Sequence, residues 1–323
     1  MAAMTDFTLT ASLTDPQPAW AELRAHPELI WGHGAPDLEP GLDYDANNAL
    51  GIGGHGRIET VEPGRVGFSW AGDGWEQSGR FVLFVGDDLV IEARAIPDDH
   101  TDEARAYWER AVATAADYLN QPNPVGTAPR AVLFDADGVL QWPRPGWLAD
   151  FTRIGGPTFV ADAFAAELDC LTGDADLKPR LEELLAAGTG GSVDEILEIW
   201  HDLVIDPDAL AVVDRVRAAG LIAALATNQQ SYRGTQMRQR YEMDRHFDHV
   251  FYSYEVGAAK PSPEYFQHIL AVLELPADQV VFVDDSPSNV RAARAAGVPA
   301  VLHRTSTGAA ALASELAALG VGV

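Results

Sequence analysis

Ala131-Val132-Leu133-Phe134-Asp135-Ala136-Asp137-Gly138-Val139-Leu140 reads as a short buried strand that runs into two carboxylates and then a turn. Four uninterrupted apolar residues suit an interior parallel strand, covered on both faces. On an extended chain residues i and i+2 face the same way, so Asp135 and Asp137 point together past the strand's carboxyl end. Gly138 lets the backbone turn there. Of two such carboxylates, one can attack an electrophile while the other carries a proton. Taken alone the pattern also fits an ordinary polar strand end, so its meaning depends on the rest of the chain.

Three later segments supply the missing partners in order. Leu221-Ile222-Ala223-Ala224-Leu225-Ala226 is a second buried strand, ending in Thr227-Asn228, where a hydroxyl and backbone N–H groups suit a phosphate oxygen. Lys260-Pro261 leads into a helical pattern, and Val280-Val281-Phe282-Val283 is a third buried strand ending in Asp284-Asp285-Ser286. Ligands in open α/β sheets bind at the carboxyl ends of the strands. Lysine usage sharpens the pattern: of 22 basic residues only Lys178 and Lys260 are lysines. A compact ammonium fits among carboxylates and a phosphoryl group where a planar guanidinium would not, which marks Lys260 as functional. Lys178 lies in an acidic helical stretch and reads as a solvated surface residue.

Together these segments resemble the haloacid dehalogenase superfamily over roughly residues 129–305, in its phosphatase-type branch with a helical C1 cap inserted after the first motif. The resemblance implies Asp135 as nucleophile, Asp137 as general acid/base and Lys260 as the group neutralising the nucleophile and the transferring oxygens. It further implies Thr227 and Asn228 as phosphate-binding residues. For Mg²⁺ it implies ligands drawn from Asp135, Asp137, Asp284 and Asp285, with Asp285 favoured over Asp284 as direct ligand. True dehalogenases of the superfamily lack the second aspartate of the first motif, so Asp137 favours phosphate esters. Elementary electrostatics points the same way. Converging Asp135, Asp284 and Asp285 would repel by roughly 4 kcal/mol per close pair at an intermediate dielectric. Such a cluster calls for a cation, and hard oxygen donors select Mg²⁺.

A chain of 323 residues accommodates two domains, and its formal charge of −26 argues against nucleic-acid binding, which needs clustered Lys/Arg. Cys170 is alone, so no internal disulfide framework is expected; it reads as a buried filler in a helical pattern with Phe164, Leu168 and Leu171. The first residues show no basic-then-apolar leader and no apolar run approaches ~18 residues, giving the expectation of a cytoplasmic protein without a membrane partner. Asn120–Pro129 carries three prolines and one glycine, which divides the chain into a domain over 1–120, a linker over 121–129 and a hydrolase domain over 130–323. In the latter, alternating strands and helices predict a doubly wound, mainly parallel Rossmann-like sheet. An insert over about 142–204, with the helical series Phe159-Phe164-Leu168, Leu181-Leu184-Leu185 and Val193-Ile196-Leu197-Trp200, predicts a lid over the site. Trp142, Arg144 and Trp147 at its root are candidate substrate contacts, or simple packing of the cap hinge.

Residues 1–119 predict a smaller α+β domain: a strand near Phe7–Leu13, a short helix from Pro18, and strands at Arg57–Val61, Val66–Trp70, Arg80–Val85 and Leu89–Ala95. A long amphipathic helix with Ala104, Tyr107/Trp108, Ala111, Ala115 and Tyr118/Leu119 on one face closes it. This layout resembles the START-like (SRPBCC) helix-grip fold, in its heat-shock ATPase activator-like branch, which implies an apolar ligand pocket; Trp20, Trp31, Trp70, Trp75 and Trp108 would line it or fill the core. Gly51-Ile52-Gly53-Gly54-His55-Gly56 matches a dinucleotide loop, yet no helix follows it, and Gly188-Thr189-Gly190-Gly191 lacks a Lys-Ser/Thr. His246 and His249 have no third ligand of their type nearby. The resulting expectation is a Mg²⁺-dependent phosphatase acting on a small phosphorylated metabolite, a sugar phosphate among the candidates. The alternatives are a phosphomutase, and a non-catalytic scaffold whose N-terminal domain binds an apolar ligand or a chaperone.

Overall fold

The computed structural model describes residues 4–32, 35–47, 53–72, 74–156, 158–186 and 191–322. The chain divides into two compact units, Met1–Pro122 and Asn123–Val323. In the first, β1 (Met4–Ser12), α1 (Ala19–Ala25) and α2 (Glu28–Trp31) precede β2 (Asp43–Asn47), β3 (Gly53–Glu62), β4 (Arg65–Gly72), β5 (Gly79–Val85) and β6 (Asp88–Pro97). Helix α3 (Thr101–Leu119) closes the unit. The strands form one antiparallel sheet in the order β1-β6-β5-β4-β3-β2. Ala104, Tyr107, Trp108, Val112, Ala115, Ala116 and Tyr118 make the buried face of α3, with Val112 where the sequence pattern had Ala111.

Aromatic rings fill this unit's core. Trp31, Trp70 and Trp108 are wholly buried, and Phe68 sits among Trp31, Phe81 and Trp108 with ring centroids 5.1, 5.4 and 5.2 Å away. A cavity of about 490 Å³ in the same unit is lined by Asp43, Tyr44, His55, Gly56, Arg57, Ser69 and Ser78, a polar set with no tryptophan in it. In the glycine-rich run, Gly51 and Ile52 lie outside the described residues, while Gly53–Gly56 belong to β3. A Cβ on Gly54 would lie 2.2 Å from Trp70 Nε1, so glycine is what lets the indole lie over the strand.

The second unit carries the parallel sheet. Its elements begin with β7 (Ala131–Phe134), β8 (Gln141–Pro143), α4 (Trp147–Gly155), α5 (Phe159–Leu168), α6 (Leu177–Ala186), α7 (Val193–His201) and β9 (Leu203–Ile205). They continue with α8 (Pro207–Ala218), β10 (Ile222–Thr227), α9 (Ser231–Gln239), β11 (His249–Tyr252), α10 (Ser253–Val256) and α11 (Pro263–Leu273). Last come β12 (Val280–Asp284), α12 (Pro287–Ala295), β13 (Ala300–Leu302) and α13 (Gly308–Ala318). The sheet order is β11-β10-β7-β12-β13, all parallel. The first strand is therefore central, with the chain winding to β10 on one side and β12 on the other. Phe134 is in register with both Leu225 and Val283, so the tips of β7, β10 and β12 end together at one crevice.

The cap grows from a two-stranded ribbon in which Trp142 pairs with Val204. Its helices α4 to α7 enclose a separate core of Phe151, Phe159, Leu177, Leu181, Ile196 and Trp200 among others. Ser192 and Glu195 form a reciprocal capping box at the start of α7. Cys170 is buried in this cap core, though in the turn after α5 rather than within a helix; of the glycine loop, 188–190 lie outside the described residues. Past the ribbon, Asp206 accepts from the Asp208 and Ala209 N–H groups and caps α8, with Pro207 as its first residue. The proline-rich segment is tied to this unit from Asn123 onward: the Asn123 side chain exchanges two hydrogen bonds with the Ala300 main chain, at 2.9 and 3.0 Å. Among the described residues no helix is long and apolar enough to cross a membrane.

Candidate active site

The strand ends bring together a carboxylate cluster with one ammonium at its centre. Asp135 follows β7, Asp284 ends β12 and Asp285 follows it; a carboxylate oxygen from each lies within 4.8 Å of the others. Lys260, just ahead of α11, is almost wholly buried, and its Nζ donates to Asp135 Oδ1 at 2.8 Å, Asp284 Oδ2 at 2.6 Å and Ala226 O at 2.8 Å. Asp284 also accepts from the Ser286 N–H at 2.8 Å and from Asn289 Nδ2 at 3.0 and 3.1 Å. Gly138 makes the close approach on the other side: a Cβ there would lie 1.9 Å from Asp285 Oδ2, and its φ of +78° suits glycine.

Burial first, and then neighbouring charge, shifts Asp135, Asp285 and Lys260. Burial pushes the Asp135 carboxyl above the usual range, Lys260 opposes the rise, and Asp284 and Asp137 reinforce it. Asp285 is raised well above its ordinary value by burial and then by Asp284 and Asp135. Burial acts to lower Lys260, but the two carboxylates it touches outweigh this and hold it above its usual value. Three carboxylates and one ammonium sum to −3 + 1 = −2 when ionised, the charge that one divalent cation would neutralise. The donors are hard oxygens, so Asp135, Asp284 and Asp285 fit an ion such as Mg²⁺.

Other residues expected at the site take more specific places. Thr227 is fully buried at the tip of β10, where its Oγ1 accepts from Gln229 Nε2 at 3.1 Å. Asn228 is committed to the Lys260 main chain, giving Nδ2 to its carbonyl at 2.7 Å and taking its N–H at 2.8 Å, and so fixes where the lysine starts. Asp137, expected as a fourth metal ligand, stands apart from the trio and is turned to Arg233. The guanidinium meets both its oxygens at 2.6 and 2.7 Å, Gln229 Nε2 adds a contact at 2.7 Å, and Gln141 Nε2 one at 3.1 Å. Arg144 is spent at the cap root on Asp150 and, at 3.3 Å, on Asp202. Trp147 packs edge-on against Phe151 and Phe164 inside the cap, and Trp142 sits in the ribbon. Lys178 is a partly exposed residue paired with Asp194, and His246 faces Asp214.

Sequence reasoning missed Gln141, Glu167, His201, Gln229 and Arg233. Glu167 on cap helix α5 is pushed up to about 7 by burial, against the pull of Arg233. Burial and then Arg233 press His201, at the end of α7, down to about 4. No local pattern announced them: Gln229 lies ahead of the α9 N-cap Gln230 while Arg233 lies in the first turn of the helix, so helix spacing does not pair the two.

Comparison with known proteins places the second unit in a family. A family model for haloacid dehalogenase-like hydrolases matches residues 129–297. A phosphorylated carbohydrates phosphatase of Thermotoga maritima is 26% identical over 204 residues, covering 58% of this chain and 93% of that protein. A phosphoglycolate phosphatase of Rhodospirillum rubrum is 27% identical over 223 residues, covering 59% and 90%. The crystal structure of a Bacteroides thetaiotaomicron HAD family enzyme, in complex with magnesium and inorganic phosphate, shares the fold at a TM-score of 0.51 and 21% identity, covering 57% of this chain and 99% of that one.

Proposed function

Because the chain belongs to the haloacid dehalogenase-like hydrolase family, we propose that it is a phosphoric monoester hydrolase acting on a small phosphorylated metabolite, with an aspartyl phosphate formed on Asp135. The observation that carries this reading is Lys260 Nζ bound to Asp135 and Asp284 in a buried cluster that also includes Asp285. Phosphatase relatives whose lengths are almost fully covered support the same reaction.

Asp135 attacks phosphorus, and the bond to the ester oxygen breaks as Asp137 gives that oxygen a proton. Asp137 then takes a proton from the water that attacks the aspartyl phosphate, which releases inorganic phosphate and restores Asp135. Lys260 neutralises charge on the phosphoryl oxygens through the transition state, and Thr227 offers its hydroxyl to one of them. Asp135, Asp284 and Asp285 would hold Mg²⁺, which would supply charge stabilisation. Cap helices α4 to α7 exclude water from the crevice while the first step proceeds. Asp137 favours this chemistry over dehalogenation, since a departing halide needs no proton.

A phosphomutase would use the same nucleophile and metal but return the phosphoryl group to a sugar; phosphate release without a bisphosphate activator separates the two. For the N-terminal unit the reading is a START-like helix-grip domain, supported by its six-stranded antiparallel sheet and closing helix. The rings that fill its core argue against an apolar ligand inside it. The test of the main proposal is release of phosphate from p-nitrophenyl phosphate with Mg²⁺, by wild type and by Asp135→Asn. Loss of essentially all turnover is expected, and equal rates would end the assignment. A panel of metabolite phosphates then identifies the substrate.

A further inference from the structure

Asp137 owes its orientation to residues outside every motif read from the sequence. Arg233 meets its two oxygens with two different nitrogens, the bidentate fork that fixes a carboxylate's plane as well as its position. Gln229 Nε2 reaches Asp137 Oδ2 and Thr227 Oγ1 together, at 2.7 and 3.1 Å, while its Oε1 accepts from Arg233 Nη1 at 3.4 Å. One network therefore joins the proton carrier to the hydroxyl placed for a phosphoryl oxygen.

The backbone beneath this network is equally constrained. Ser253 Oγ accepts from the Gln229 N–H at 2.9 Å and donates to its carbonyl at 3.2 Å. Gln230 Oε1 caps α9 by accepting from the Tyr232 and Arg233 N–H groups, at 2.7 and 3.1 Å. Arg233 thus projects from a fixed first turn. We infer that Arg233, aided by Gln229, is a positioning residue for Asp137: the fork holds the ionised carboxylate in place, and one contact yields when Asp137 takes the proton of the attacking water, which it passes to the leaving oxygen of the next substrate. The inference rests on the phosphatase reading above.

A purely structural ion pair is the competing account. It explains the geometry poorly, because Arg233 is buried with both terminal nitrogens on Asp137, and taking two charges out of water costs about as much as their attraction returns, so a buried ion pair is a weak source of stability. A group placed for proton transfer has a reason to be there at that cost.

Leaving-group dependence separates the two accounts. Full-length wild type, Arg233→Gln, Asp137→Asn and the double variant are compared with Mg²⁺ on aryl phosphates from 2,4-dinitrophenyl to phenyl phosphate. The readout is kcat/KM, which reports the steps up to departure of the phenol. A dinitrophenolate leaves without a proton, whereas phenolate needs one. Arg233→Gln is expected to lose roughly 10²-fold on phenyl phosphate, the scale of a misplaced catalytic group, and distinctly less on the dinitrophenyl ester. On phenyl phosphate the double variant should be no slower than Asp137→Asn, because Arg233 acts through that residue. Equal losses along the whole series, or losses that multiply in the double variant, would overturn the inference. Wild type inactive on every ester would instead sink the phosphatase reading itself. Should Arg233→Gln fail to fold, Gln229→Leu keeps the ion pair and carries the same test: a loss that grows toward phenyl phosphate supports positioning, and a uniform one refutes it.

Discussion

Replacing Lys260 by methionine keeps its length and removes its charge, which isolates what the ammonium does. Its Nζ lies 2.8 Å from Asp135 and 2.6 Å from Asp284, with almost no exposure to solvent. At an effective dielectric near 20, each contact has a Coulomb energy of about 6 kcal/mol. That is an upper bound, because the stranded carboxylates escape by taking up protons. Removing one member of a buried pair costs about 3–5 kcal/mol, and this is the loss expected in the second unit at neutral pH with a chelator present. For a domain of this size the loss lowers the calorimetric transition by about 6–20 °C. Magnesium should stabilise Lys260→Met more than wild type, because the carboxylates lose their internal counter-charge and bind a cation more tightly. Activity stays lost even with the ion present, since methionine donates nothing to the phosphoryl oxygens. Calorimetry in EDTA and across a Mg²⁺ series, beside p-nitrophenyl phosphate turnover, reads all three effects. An unchanged transition in EDTA, or a Mg²⁺ response no larger than wild type's, would refute the electrostatic account of the cluster.

Asp137→Asn should slow turnover of a poor leaving group by roughly 10²–10⁴-fold, and an unchanged rate on phenyl phosphate would move the proton transfer to another residue. Gly138→Ala should abolish Mg²⁺ binding as read by calorimetric titration, because the new Cβ would meet Asp285 Oδ2 at 1.9 Å; wild-type affinity would show that the turn can yield. His201 is held neutral, with its pKa lowered from 6.5 to about 4, so the unfolded chain binds more protons and stability falls as pH drops through that window. At pH 5 the cost is about 2 kcal/mol, and urea unfolding of His201→Phe should show a shallower decline below pH 6.5 than wild type; parallel curves would disprove the assignment. Treatment with EDTA should stop phosphate release, and Mg²⁺ should restore it; full activity in the chelator would remove the metal from the reading.

The parallel sheet of the second unit was legible because each buried strand is a pure apolar run with chemistry at its tip: Phe134 before Asp135, Ala226 before Thr227, Val283 before Asp284. Burial on both faces of a parallel sheet forces that composition. Helix α8 was legible from Asp206 and Pro207, whose capping chemistry is local. The edge strand β11 was not, since His249-Val250-Phe251-Tyr252 is short and mixed, and it pairs on only one side. Ribbon β8–β9 escaped for a related reason, as neither three-residue strand has a pattern of its own.

Sequence by itself determined which groups the strand tips present, because apolar runs and turn residues are short-range signals. It also marked Lys260, through the scarcity of lysine in the chain. Only the tertiary structure decided what each group faces. Parallel register brings Arg233 to Asp137 across 96 residues, ties Asn228 to the Lys260 main chain across 32, and leaves Asp137 outside the trio formed by Asp135, Asp284 and Asp285. The Arg144–Asp150 ion pair and the edge-on packing of Trp147 against Phe151 are likewise products of the cap's folding. Such pairings depend on strand order and helix phase, quantities set by the packing of the whole unit and by no window of its sequence.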